Sequence, residues 1–230
     1  GFLGQDILEG SARWSHEQGT PQGAVISPLL ANLYLHPVDE AMEAAGFQMI
    51  RYADDFVIMC RDEAEAYPAL HYVQQLITER ELVLHPEKTR VVDTELPGQG
   101  FDFLGYHFEA GKRWPRKKSL KKLKDTIRAQ TVRSNGNSLS VITANVNRML
   151  RGWFEYFKHS HKWTFPVLDG WIRSRLRSIL RKRSKGAKGI SGKIDHFRWP
   201  NKFFREQGLF SLEEAHGKYS SPHRGKTIDW

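Results

Sequence analysis

Apolar positions along this chain switch between a helical and an extended rhythm, and the switches predict its elements. Ser27-Pro28 has the form of a helix start, and Leu29, Leu30, Leu33 and Tyr34 supply an apolar stripe. This helix is predicted to run to about Ala45, disturbed at Pro37 and stopped by Gly46. Met49-Ile50-Arg51-Tyr52 and Phe56-Val57-Ile58-Met59 are β-formers around a tight turn that contains Asp54-Asp55. Asp62 with Glu65 three residues on is a capping box, followed by Leu70, Val73 and Ile77 at helical spacing. Leu82–Leu84, Thr89–Val92 and Phe101–Phe108 read as strands, with a turn at Pro97-Gly98-Gln99-Gly100.

After Gly111 the rhythm becomes helical throughout. Segments are predicted over about 119–133 (Leu120, Leu123, Ile127), 138–158 (Ile142, Val146, Met149, Trp153, Phe157) and 166–183 (Leu168, Trp171, Ile172, Ile179). On the third, Arg173, Arg177 and Arg181 recur at i, i+4, i+8, on what should be its solvent face. Residues 184–192 read as a loop, and the tail after Leu212 as ordered only where it docks. The pattern predicts an α+β fold: a sheet with packed helices over residues 1–111, then a basic helical bundle over 112–230.

Charge sharpens that division. The 230 residues carry 35 Lys/Arg, 26 Asp/Glu and a net charge of +9. Residues 1–110 hold 6 Lys/Arg against 18 Asp/Glu, and the remainder 29 against 8. Clustered Lys and Arg gain by releasing counterions condensed on a polyanion, so the second half is expected to meet nucleic acid. Lys117, Lys118, Lys121 and Lys122 on the first basic helix, and Arg173, Arg177, Arg181, Lys182 and Arg183 on the third, are the candidate phosphate contacts. Trp114 is the candidate stacking residue. The absence of a long apolar run excludes a spanning helix, and the lone cysteine, Cys60, excludes a disulfide framework or a multi-thiolate zinc site. Together with the absence of a signal-peptide pattern, this predicts an intracellular, cytoplasmic protein of a reducing compartment, with no membrane partner.

Two adjacent carboxylates at a hairpin turn flanked by apolar strands repel one another unless a cation is near. Magnesium binds carboxylate oxygens alongside substrate phosphates, and a pair of such ions can clamp both oxygens of a phosphoryl transfer. The competing reading is an ordinary solvent-facing turn, in which aspartate is common.

The wider sequence weighs on that choice. Gly19-Thr20-Pro21-Gln22-Gly23, Ile26-Ser27-Pro28-Leu29-Leu30-Ala31-Asn32-Leu33, Arg51-Tyr52-Ala53-Asp54-Asp55, Lys88-Thr89 and Phe103-Leu104-Gly105 occur in an order and spacing that resemble the palm of group II intron-encoded reverse transcriptases. Gly152-Trp153-Phe154-Glu155-Tyr156-Phe157 and the segment from Phe203 to Glu213 look like that family's maturase-specific domain X, or thumb. The resemblance spans about residues 16–215.

It implies a partial polymerase palm followed by an α-helical thumb. It further implies magnesium-dependent RNA-directed DNA synthesis, with intron RNA, an RNA template on a DNA primer, dNTPs and a DNA target as partners. Asp54 would be the principal metal ligand and Asp55 the second acid. Lys88 would sit near the incoming triphosphate. Gln22, Gly23, Tyr52 and Ala53 would line the nucleotide and template–primer, and Gly105 would belong to the primer grip. Ala24 stands where the family usually has a second glycine. The family's other metal-binding aspartate and its fingers lie upstream of the Pro-Gln-Gly loop. Asp6 does not match that motif, so this chain alone is expected to be inactive as a polymerase. A cysteine-pair endonuclease is expected to be absent. An alternative within the same resemblance is an RNA-binding splicing maturase, or a degenerate remnant, with a vestigial Asp pair.

Overall fold

A computed structural model of the chain describes residues 7–9, 12–14, 26–134, 136–184 and 192–221. The chain divides into two compact units, residues 1–92 and 93–230. The compositional change near Gly111 therefore falls inside the second unit.

In the first unit, β1 (Ile7–Glu9) pairs antiparallel with β2 (Ala12–Trp14). Helix α1 (Ser27–Ala44) continues through Pro37 and stops before Gly46, whose φ of +83° suits a residue without Cβ. Strands β3 (Gln48–Tyr52) and β4 (Asp55–Met59) form an antiparallel hairpin. Helix α2 (Glu63–Thr78) is capped by Asp62, whose carboxylate accepts from the Glu65 amide at 2.9 Å. One face of the hairpin packs on both helices: Val38 and Met42 of α1 meet Val73, Leu76 and Ile77 of α2, with Met49, Phe56 and Ile58 against them.

Two expectations fail here. The stripe predicted to anchor α1 is largely outside the core: Leu29 and Leu33 are 66% and 70% exposed, and the buried contacts lie further along, at Val38 and Met42. Residues 82–84 and 89–92 are not strands. A strand needs a neighbouring strand for its ladder, and among the described residues no strand pairs with these segments, so they stay irregular and Val83 is exposed.

The second unit opens with a three-stranded antiparallel meander, β5 (Phe101–Phe103), β6 (Tyr106–Glu109) and β7 (Lys112–Pro115). The predicted strand over Phe101–Phe108 is instead a hairpin. Leu104 and Gly105 both take positive φ (+47° and +81°), the backbone twist of the tightest hairpin turns. Helices α3 (Lys117–Gln130), α4 (Leu139–Phe157) and α5 (Thr164–Arg183) follow within a few residues of their expected bounds. The short α6 (Gly192–Arg198) and α7 (Asn201–Glu206) lead to α8 (Leu212–Ser220). Their shared core contains Leu123, Ile127, Ile142, Val146, Leu150, Phe165, Ile172, Leu176, Phe204 and Leu212. The segment after Leu212 is thus helical through Ser220. Asp169 of α5, itself buried, accepts from the Leu212 and Glu213 amides (3.1 and 3.2 Å) and from the Ser211 hydroxyl (2.7 Å), which satisfies orphan donors at the start of α8. The loop expected over 184–192 lies, for residues 185–191, outside the described residues.

Candidate functional site

The β3–β4 register pairs Tyr52 with Asp55, leaving Ala53 and Asp54 as a two-residue connection. Strand alternation then sorts the side chains. Arg51 and Phe56 point toward the helices, while Ile50, Tyr52, Asp55 and Val57 share the opposite face. Asp54 occupies the tip, and both Asp54 and Asp55 are exposed. Among the described residues neither carboxylate has a hydrogen-bond or ion-pair partner, so two exposed carboxylates next to one another in sequence keep their oxygens free.

Ala53 sits at φ +56°, where a Cβ is unfavourable. The turn is held from below by Arg51. Its Nε and Nη2 donate to the two Asp39 carboxylate oxygens at 2.8 and 2.5 Å, and its Nη1 donates to Asn32 Oδ1 (3.0 Å) and to the Ala53 carbonyl (2.8 Å). Hydrogen bonding to Asp39 raises the arginine pKa; burial opposes this and the Asp39 charge adds to it. Asn32 and Asp39 stand seven residues apart, two turns along one side of α1. That spacing, with Arg51 three residues before Asp54, is the sequence signal for this arrangement.

The free oxygens fit a hard, oxygen-seeking divalent cation such as Mg2+. Two side chains do not complete its shell. No group of three or more His, Cys, Asp or Glu among the described residues is placed to hold a metal. An ion held there would take its remaining ligands from water, nucleotide phosphate or a further carboxylate. Elsewhere in this unit, Lys88 is exposed on a turn closed by the His85 carbonyl, not on a strand. Gln22, Gly23, Ala24 and Asp6 lie outside the described residues. Cys60 is half-buried just after β4, where burial and then Glu65 and Asp62 push its thiol pKa up.

In the second unit the Leu104–Gly105 turn is fastened at both carbonyls. Tyr156 Oη donates to Leu104 O at 2.6 Å; Ser119 Oγ and the Arg116 amide donate to Gly105 O at 3.1 and 2.9 Å. Tyr106 Oη in turn donates to the Tyr156 carbonyl. A Cβ at Gly105 would lie 3.4 Å from Ser119 Oγ and 3.6 Å from Phe157. The glycine is thus a structural turn residue as well as a candidate for contact with a polymer.

The predicted phosphate contacts fall into two groups. Lys117, Lys118, Lys121 and Lys122 are exposed on α3, with Lys121 paired to Asp125 at 2.7 Å. Lys182 and Arg183 are exposed at the end of α5, where Arg183 also donates to the Asn137 carbonyl. Arg173 is half-buried, with its Nε shielded from solvent. Arg177 and Arg181 are not on a solvent face. Arg177 is only 3% exposed, donates to Trp199 O and Asn201 Oδ1 (2.9 Å each), and lies over the Phe204 ring. Arg181 pairs with buried Asp195 at 2.9 Å. Residues 194–204 cover that side of α5, which a helical periodicity taken alone does not reveal. Trp114 is half-buried between His107 and His161.

The reverse transcriptase (RNA-dependent DNA polymerase) family model matches residues 6–108, and the group II intron maturase-specific domain model matches residues 120–199. The chain belongs to the group II intron reverse transcriptase/maturase family. The Asp54–Asp55 hairpin and Lys88 fall within the polymerase match, and α3, α4 and α5 within the maturase match from Leu120 on. A search of curated proteins finds no match. No helix among the described residues is long and apolar enough to cross a membrane.

Proposed function

We propose that residues 1–111 supply the palm part of an RNA-copying nucleotidyl-transfer site and residues 112–230 the thumb that grips RNA. The observation that carries the reading is the pair of carboxylates at the β3–β4 tip, unpartnered among the described residues and inside the segment that matches reverse transcriptases. Asp54 is the principal ligand for Mg2+ and Asp55 the second. Bound magnesium supplies charge neutralisation for the attacking and leaving oxygens. Lys88 offsets negative charge on departing pyrophosphate. Gln22 and Gly23 contribute to the nascent base-pair site, Tyr52 and Ala53 to the nucleotide and template–primer site, and the Leu104–Gly105 turn supports the primer. Lys117, Lys118, Lys121, Lys122, Arg173, Lys182 and Arg183 track phosphates of template and intron RNA, without reading bases. Arg177 and Arg181 hold the fold instead.

The partners are intron RNA, an RNA template with its DNA primer, dNTPs and a DNA target, in an intracellular setting. Water and nucleotide phosphate fill part of the shell; a further acid from a fingers-bearing segment upstream of the Pro-Gln-Gly loop fills the rest, and we propose that the 230 residues need it to extend a primer. The test joins them to such a segment and measures RNA-templated incorporation of dNTPs. Synthesis is restored and then abolished by Asp54→Ala. Retained synthesis in that variant removes Asp54 from the site.

A further inference from the structure

The Ala53–Asp54 turn is a poor turn by sequence. Two-residue hairpins with positive φ at the first central position favour glycine or asparagine, and this one has alanine at φ +56°. Something outside the turn must hold it. Four hydrogen bonds from one guanidinium do so: two to Asp39, one to Asn32 and one to the Ala53 carbonyl. The Arg51 side chain is only 11% exposed, whereas Asn32 is exposed. Arginine suits this task because its planar fork serves a carboxylate and a carbonyl at once, which a lysine ammonium cannot reproduce.

We propose that Arg51 is a positioning residue for the Asp54–Asp55 tip, tying the backbone of the turn to α1 so that the two carboxylates project in one fixed arrangement. The inference rests on the reading of the tip as a metal-carrying element. It also has a sign that separates it from simple electrostatics. A fixed positive charge beside the tip repels a divalent cation, so removing it by charge alone strengthens metal binding. Removing a positioning group weakens binding, because the oxygens lose their common geometry.

The experiment compares the 230-residue chain with its Arg51→Lys, Arg51→Gln and Asn32→Ala variants by NMR. One readout, taken without metal, is amide exchange of Ala53, Asp54 and Asp55 relative to the α2 amides. The other is line broadening of the same tip amides by Mn2+. The proposal expects tip exchange to accelerate in all three variants while α2 is unchanged. It expects apparent Mn2+ affinity at the tip to fall about tenfold or more in both Arg51 variants, the scale on which supporting residues act on metal sites. Asn32→Ala removes one partner from an exposed position, so it stays interpretable if an Arg51 variant fails to fold. Unchanged tip exchange overturns the proposal, and so does tighter Mn2+ binding in Arg51→Gln. Absence of Mn2+ broadening in the parent chain shows that the two carboxylates need the further acid to hold the ion, and the exchange comparison then decides the role of Arg51.

Discussion

Replacing Lys117, Lys118, Lys121 and Lys122 together by alanine isolates the electrostatic share of RNA binding. All four side chains are exposed, so the loss in stability stays within about 0.5 kcal/mol per site. Each phosphate neutralised contributes about 0.7–0.9 to the slope of log K against log salt, so four contacts account for about three. Lys121 contributes less than the others, because Asp125 already holds its ammonium. Between 50 and 200 mM salt, a slope difference of about three corresponds to a factor of about 60. The parent chain therefore loses about 60 times more affinity for a structured RNA over that range than the quadruple variant does. The assay is a filter-binding or anisotropy titration at four or more salt concentrations. Arg177→Gln is the comparator. It strands the Trp199 carbonyl and Asn201 side chain, costs about 2–4 kcal/mol of stability, and leaves the salt slope unchanged. An unaltered slope in the quadruple variant refutes the assignment of α3 as the phosphate-tracking face.

Other perturbations address the fold around the sites. Asp169→Ala removes three hydrogen bonds at the start of α8 and is expected to cost about 3 kcal/mol, lowering the thermal midpoint by about 10 °C. A loss of under about 2 °C on a calorimetric scan contradicts that capping role. Gly105→Ala, at φ +81°, should cost about 1–2 kcal/mol by denaturant unfolding, and an unchanged midpoint would show the turn can relax. For His107, burial lowers the imidazole pKa, but the hydrogen bonds and charges of Asp102 (2.7 Å) and Glu109 (3.1 Å) outweigh it and leave the pKa raised. A raised histidine pKa stabilises the fold fully below the unfolded value of about 6.5, and that stability is lost as pH rises through the folded value. Glu109 is held below its usual pKa by the Gly98 amide and by His107, so its contribution is lost instead as pH falls. Stability should decline as pH rises from about 6.5 through the folded value, and His107→Gln should flatten that decline in pH-dependent melting.

The helices were legible because their apolar periodicity reports burial directly, as with Ile142, Val146 and Phe157 in α4. The Asp54–Asp55 hairpin was legible because β-formers bracket a turn and the motif stands in a recognisable series. Long-range partners were not. Nothing local to Arg177 and Arg181 announces that Trp199, Asn201 and Asp195 will cover them, so they look like a solvent stripe. Residues 82–84 and 89–92 have strand composition, but composition cannot supply a neighbouring strand. The bend at Leu104 escaped notice because leucine is a poor marker for positive φ; its carbonyl is fixed from 52 residues away by Tyr156. Arg51 was read as part of a motif, while its partners Asn32 and Asp39 lie on another element.

The central claim is that the β3–β4 tip carries catalytic divalent metal. It is tested most directly by anomalous scattering from Mn2+ in crystals of the chain joined to a fingers-bearing segment, with template–primer bound. The account predicts a metal peak about 2.1 Å from an Asp54 carboxylate oxygen, the separation that hard octahedral ions require. Occupied metal elsewhere, with Asp54 and Asp55 turned to open solvent, would contradict it.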